Sequence, residues 1–249
     1  MGYVIAMAGK GGTGKTTIAA LIVRIIKEKK LGSVLAVDAD PNSNLAEALG
    51  VERKETIGEI LDNIAANPNK IPAGMPKDRF IEYKVQTSIS EGDNFDVLTM
   101  GRPEGPGCYC YVNNVLRDVM GKLIKDYQYV IIDNEAGLEH LSRRTTRRAD
   151  ALVVISDASV VGLKAANRIR ELTKELDLKI KKEFLIINSF DKDIAKEKIK
   201  DFKLDYLGFI PFDEKIEKIS LNGNSLMGLD EDAISLNALR KIGENIINQ

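Results

Sequence analysis

Net charge is almost absent from this sequence. Lys and Arg number 36 against 37 Asp and Glu, for a formal net charge of −1. There is no bulk positive field, so composition gives non-specific nucleic-acid binding no support. Cysteine is scarce, and 2 residues in a chain of 249 do not make a disulfide framework. No apolar run reaches transmembrane length, and no signal peptide opens the chain. Low-complexity segments are lacking too. What is present is a 44% hydrophobic composition, ample for a core. These absences predict a soluble cytoplasmic protein with no nucleic-acid and no membrane partner.

The chain is organised around Gly9, Lys10, Gly11, Gly12, Thr13, Gly14, Lys15, Thr16 and Thr17. An apolar stretch of strand length, Tyr3 to Ala8, precedes them. Apolar residues at helical spacing follow: Ile18, Leu21, Ile22, Ile25 and Ile26. Strand, glycine-rich loop and helix in that order define a phosphate-binding loop. The glycines let backbone N–H groups turn inward onto the β- and γ-phosphates. The helix adds its positive end. Lys15 supplies a full charge, and the Thr16 hydroxyl is placed to ligate Mg²⁺. The predicted ligand pair is ATP/ADP with Mg²⁺.

Strand-like runs alternate with helical patterns nearly throughout. This predicts an α/β fold with a mostly parallel central sheet, helices on both faces, and one P-loop ATPase domain over 1–249. The run Ser33–Asp38 reads as a second buried strand, and Asp38 and Asp40 follow at its carboxyl end, where open α/β sheets hold ligands. The same residues, with Pro41, Asn42 and Ser43, also suit a turn and helix cap. A third run ends in Asp133, the expected second Mg²⁺ partner of a P-loop. Two further strands end at Ser156 and Asn188, and the last ends in Pro211, Phe212 and Asp213. Residues 67–91 read as a polar loop holding a short edge strand at Phe80–Val85. The last helix is expected over Glu231–Gln249, with Ile234, Ala238, Lys241 and Ile242 on one face.

Cys108 and Cys110 lie two apart in a glycine- and proline-rich loop that feeds a helix, a setting that favours thiolate. In an extended segment both sulfurs face one side. Two ligands are too few for a closed tetrahedral site, but a twofold dimer repeats the pair and completes four. The alternative is two buried, inert cysteines. His140 is the one histidine, suited to metal ligation, proton transfer or a supporting structural role. Arg143, Arg144, Arg147 and Arg148 form a basic cluster that is either a solvated helix face or a dock for an acidic partner.

The second lysine of the loop, Lys10, makes this P-loop resemble the deviant form of the MinD/ParA/nitrogenase-iron-protein class of ATPases. That resemblance implies an ATP-dependent homodimer in which Lys10 reaches the partner's nucleotide. It implies that Asp40 lies near the γ-phosphate, holding Mg²⁺ through water or orienting the attacking water. It also implies that Asn188 reads the base, and that Pro211, Phe212 and Asp213 line the adenine pocket. Asn134-Glu135-Ala136-Gly137 resembles the family's second switch. Taken with Cys108-Tyr109-Cys110, the run Glu135–Leu141 and Gly208-Phe209-Ile210-Pro211, the chain is similar to the CooC/AcsF-type accessory ATPases. These mature the nickel clusters of carbon monoxide dehydrogenase and acetyl-CoA synthase. The resemblance implies Ni²⁺ or Zn²⁺ at Cys108 and Cys110, and an apo nickel enzyme as partner. Two other expectations stand beside it: a MinD/ParA-type positioning protein, and an electron-transfer ATPase like nitrogenase iron protein, since four thiolates also suit an iron–sulfur cluster.

Overall fold

The computed structural model describes residues 2–101, 110–135, 148–189, 199 and 204–247, and only the backbone of 110–115. Its frame is an eight-stranded sheet: β1 (Tyr3–Gly9), β2 (Val34–Ala39), β3 (Ser90–Glu91), β4 (Phe95–Thr99), β5 (Tyr129–Asn134), β6 (Arg148–Ser156), β7 (Lys179–Asn188) and β8 (Asp205–Ile210). Their order across the sheet is β3-β4-β2-β5-β1-β6-β7-β8. Every neighbouring pair is parallel except β3 with β4. The central strands β1, β2 and β5 are buried along their whole length. This is why they read as unbroken apolar runs rather than alternating ones.

Alternate residues of β1 feed two cores. Val4, Ala6 and Ala8 face one, joined by α3 (Ile57–Ala66), α4 (Lys77–Thr87), α5 (Cys110–Asp126) and α6 (Val160–Glu175) through Ile57, Ile60, Ile81, Leu116 and Leu163. Tyr3, Ile5 and Met7 face the other, covered by α1 (Lys15–Glu28), the short α2 (Leu45–Ala48) and α8 (Ile234–Ile247). Helix α7 (Glu214–Leu221) packs Ile216 and Ile219 on the same side. In α1, Ile18, Leu21, Ile22 and Ile25 are each at most 1% exposed, and each contributes about 1.5–3 kcal/mol by burial. Among the described residues, no helix is long and apolar enough to cross a membrane.

Two sequence expectations are corrected. Phe80–Val85 is not an edge strand in a loop but the middle of α4. Phe80, Ile81 and Val85 lie on one helical face and are buried, so packing against the sheet prevails over the apparent two-residue alternation. The last helix begins at Ile234 rather than Glu231, because residues Leu226–Gly228 form a 3₁₀ turn and Asp230–Ala233 a further turn. Its buried face runs through Leu236, Leu239, Gly243 and Ile246, while Ile234 is 55% exposed.

Parallel pairing brings the carboxyl ends of the strands to one edge. Met7, Asp133 and Asp38 are register partners on β1, β5 and β2. Asn188 is paired with Ile210, the residue just before Pro211. The sheet therefore delivers the loop after β1, two aspartates and the ends of β7 and β8 to one rim.

Candidate nucleotide site

The loop after β1 folds around the carbonyl of Lys10. The Thr13 hydroxyl donates to it at 2.8 Å, the Thr13 N–H at 3.4 Å and the Lys15 Nζ at 3.2 Å. Lys15 is only 6% exposed, whereas Lys10, Gly11 and Gly12 face solvent. Gly14 stands at φ 87°, a left-handed conformation that glycine adopts without strain. A Cβ there would also strike the Asn188 amide. Gly14 is the N-cap of α1 and brings no side-chain acceptor, and the first turn carries no acidic residue. Helix ends of this kind bind anions.

Beside the loop stand the aspartates. Thr16 Oγ1 donates to Asp133 Oδ2 at 2.6 Å. The other oxygen, Asp133 Oδ1, is buried with no hydrogen-bond partner. Burial raises the Asp133 carboxyl to about 6, against the pull of the Thr16 hydrogen bond and the Lys15 charge. Asp38 is fully buried and accepts from the backbone of Asp40 at 3.1 Å and of Leu45 at 2.8 Å. Burial lifts it to about 7, with the Asp133 charge adding to the rise. The Asp38 carboxylate thus ties both ends of the Asp40–Leu45 loop. Within that loop Asp40 Oδ1 accepts the Asn42 N–H at 2.9 Å. A hydroxyl, an orphaned carboxylate oxygen and a second carboxylate form an all-oxygen donor set, which suits the hard cation Mg²⁺.

Farther along the rim, Asn188 Nδ2 donates to the Thr13 carbonyl at 2.8 Å, joining the end of β7 to the P-loop. Phe212 is 46% exposed. Asp213 turns away from it: its carboxylate caps α7 through the Lys215 N–H at 3.0 Å and holds the Ser235 N–H at 3.1 Å and hydroxyl at 2.7 Å. Cys108, the run Ala136–Leu141 with His140, and Arg143, Arg144 and Arg147 lie outside the described residues, and so does the side chain of Cys110. Among the described residues, no group of three or more His, Cys, Asp and Glu side chains could hold a metal ion. Sequence reading left three groups without their structural role. Asp38 was placed at the rim without one. Asn134, expected only as the start of the second switch, donates its amide to the Met7 carbonyl at 2.8 Å. Arg24 carried a signal, as a lone charge in the apolar run Ile18–Ile26.

A glycine loop between strand and helix, with its lysine drawn inward and its threonine bonded to a strand-end aspartate, defines a P-loop nucleoside triphosphatase. The chain belongs to the CobQ/CobB/MinD/ParA nucleotide binding domain family, whose model matches residues 4–226. It is an ATP-binding ATPase of ParA/MinD type. It is 42% identical to an uncharacterized ATP-binding protein of Methanocaldococcus jannaschii, over 99% of both chains. It is 32% identical to the carbon monoxide dehydrogenase accessory protein CooC of Rhodospirillum rubrum, covering 90% of this chain and 89% of that protein. Its fold is similar to the septum site-determining protein MinD of Pyrococcus horikoshii, solved with Mg-ADP. That likeness has a TM-score of 0.73 and 21% identity, over 100% of this chain and 97% of that one.

Proposed function

We propose that this ATPase is a metallochaperone: a cytoplasmic homodimer that hydrolyses ATP while it delivers nickel to the apo form of carbon monoxide dehydrogenase or acetyl-CoA synthase. The observation that carries the reading is the 32% identity to the accessory protein CooC along nine-tenths of the chain. Cys108-Tyr109-Cys110 supports it, as a thiolate pair that a twofold axis would double into four ligands. Nickel, or zinc in its place, is the cargo, since sulfur ligands accept both.

Each rim residue has a part in the hydrolysis. The P-loop backbone and Lys15 hold the phosphates, with Lys15 exchanging the Lys10 carbonyl for phosphate oxygens. Thr16 would hold Mg²⁺ directly, with Asp133 and Asp40 reaching it through water. The ion would supply neutralisation of the phosphate charge there. Asp40 orients the attacking water, and Asp38 sets Asp40 by holding its backbone N–H. Lys10, exposed on the loop, reaches the nucleotide of the second subunit. Asn188 and Phe212 meet the base. Pro211 stiffens that turn, and Asp213 braces it.

The test is nickel and zinc titration of anaerobically purified protein, followed by mass spectrometry under non-denaturing conditions. One divalent ion per dimer, lost in Cys108→Ser and Cys110→Ser, is expected. Metal retained by the double variant would overturn the reading. A MinD/ParA-type positioning role shares the fold and the nucleotide site, and a dimer that binds no metal would favour it. A brown protein would favour iron–sulfur electron transfer instead.

A further inference from the structure

Arg24 is a buried charge away from the phosphate site. It is 4% exposed and sits in α1, the helix that begins at Lys15, roughly 2.5 turns further on. All three nitrogens of its guanidinium donate. It donates to Glu28 at 2.6 Å, to the carbonyls of Leu226 and Leu229, and to Glu231 at 2.7 Å. Arg240 closes the network from α8, bonding both Glu28 and Glu231.

Two of the Arg24 contacts hold one piece of chain. Residues 229–235 form a strap, pinned at Leu229 and Glu231 by Arg24. Lys215 grips its middle at Asp230, 2.8 Å, and Asp232, 2.7 Å. Asp213 fixes the far end at Ser235. Phe212, 46% exposed, immediately precedes Asp213, so the Asp213–Ser235 bonds tie the turn that carries it to the start of α8. That turn follows Ile210, the register partner of Asn188. A helix that carries the phosphate loop at one end thus grips, by a buried fork of hydrogen bonds, the strap that frames the base end.

We infer that Arg24 is a positioning residue for the nucleotide base: by anchoring the strap to the P-loop helix it keeps Phe212 in place as an apolar wall for the ring. This rests on the assignment of the base to Asn188 and Phe212. Removing one partner of a buried ion network destabilises a protein whatever else the network does. The positioning role of Arg24 is therefore read from which part of the nucleotide loses affinity, not from stability. Glu28 lies on α1 itself, so the bonds to Leu226, Leu229 and Glu231 are the ones that fix this segment against the helix.

The separating measurement is titration calorimetry in Mg²⁺ with two probes, ADP and pyrophosphate. ADP engages both the phosphate and the base ends, and pyrophosphate engages the loop alone. Arg24→Met should weaken ADP about tenfold, the scale of one lost charge-assisted hydrogen bond, and leave pyrophosphate within about twofold. Should Arg24→Met fail to fold, Ser235→Ala at the far end of the strap and Glu231→Gln at its exposed edge loosen the same strap and should give the same split in smaller measure. An ADP affinity unchanged in all three variants would overturn the inference, and so would equal losses for both probes, the mark of a purely structural arginine. Phe212→Ala tells the two levels apart. If it weakens ADP while the strap variants do not, the inference about Arg24 falls and the base site stands. If it leaves ADP unaffected, the base site is wrong and the inference falls with it.

Discussion

Asp38 and Asp133 are register partners on adjacent parallel strands, and burial raises both carboxyls, to about 7 and about 6. Two buried carboxylates side by side beneath a phosphate loop are unfavourable until a cation joins them. That pairing makes the sign of the protein's pH response definite. In the unfolded chain both groups titrate near the ordinary aspartate value, so between about 4 and 7 the folded state holds more protons. Stability of the nucleotide-free protein should therefore fall as pH rises through this window. Thermal unfolding at pH 5 and pH 8 checks it, with Mg-ADP expected to restore the loss at pH 8. Mg²⁺ affinity should move the opposite way, weakening as the carboxylates take up protons below about 6.

Asp133→Asn follows from the same relationship. An isosteric amide removes the buried charge, so the nucleotide-free variant should gain on the order of 1–3 kcal/mol at pH 8, from a shift of about two pKa steps at 1.36 kcal/mol each. Hydrolysis should collapse, because the partner of Thr16 no longer holds the ion. A variant destabilised at pH 8 and still active would refute both halves.

Lys15→Ala and Asp40→Ala should separate binding from chemistry. The first removes the buried ammonium that bonds the Lys10 carbonyl at 3.2 Å and should lose phosphate affinity. The second should bind ATP normally and hydrolyse it at least about a hundredfold more slowly, the usual scale for a water-positioning group. Equilibrium binding of a fluorescent ATP analogue, alongside phosphate release, measures both.

Lys10→Ala concerns assembly. Lys10 is exposed at the tip of the loop while Lys15 is buried, so its loss should leave nucleotide binding intact and abolish the ATP-dependent dimer. Size-exclusion chromatography with ATP reads the result. A variant that dimerises normally removes the cross-subunit role from this lysine.

Metal and nucleotide should be coupled. If four thiolates from two copies of Cys108 and Cys110 meet only in the dimer, each ligand stabilises the state the other needs, and the coupling is reciprocal. ATP should change nickel affinity by the same factor by which nickel changes ATP affinity. Thiolate ligation requires deprotonation, so nickel affinity should fall with pH. Independent binding of the two ligands would sink the shared-site mechanism.

The phosphate end of the site was legible because its chemistry is local. Loop, lysine and threonine are adjacent in sequence, strand β1 runs straight into the glycine loop, and the buried runs of β2 and β5 reach Asp38 and Asp133. The role of Asp38 was hidden because it depends on the pairing of β2 with β5, a contact between residues 95 apart, 38 and 133. Helix α4 was misread because the five residues Ile81–Val85 alternate as a strand would, and only the burial of Phe80, Ile81 and Val85 on one helical face discriminates. Asp213 was read for its place at a strand end, whereas its bonds to Ser235 depend on a helix 22 residues on.

Strand β1 is the first element of the chain, yet it lies inside the sheet, paired with β5 through Tyr3↔Tyr129 and with β6 through Ile5↔Ala151. During synthesis it leaves the ribosome long before either neighbour exists. At 5–20 residues per second the wait is on the order of 10 s. Gly9, where the phosphate loop begins, lies against the Ile155 backbone, so the loop has no floor until β6 is made. A nascent or truncated chain that ends short of β6 should therefore bind no nucleotide, even though it carries every residue from Gly9 to Thr17. ATP can act as a folding ligand only after more than half of the protein has emerged.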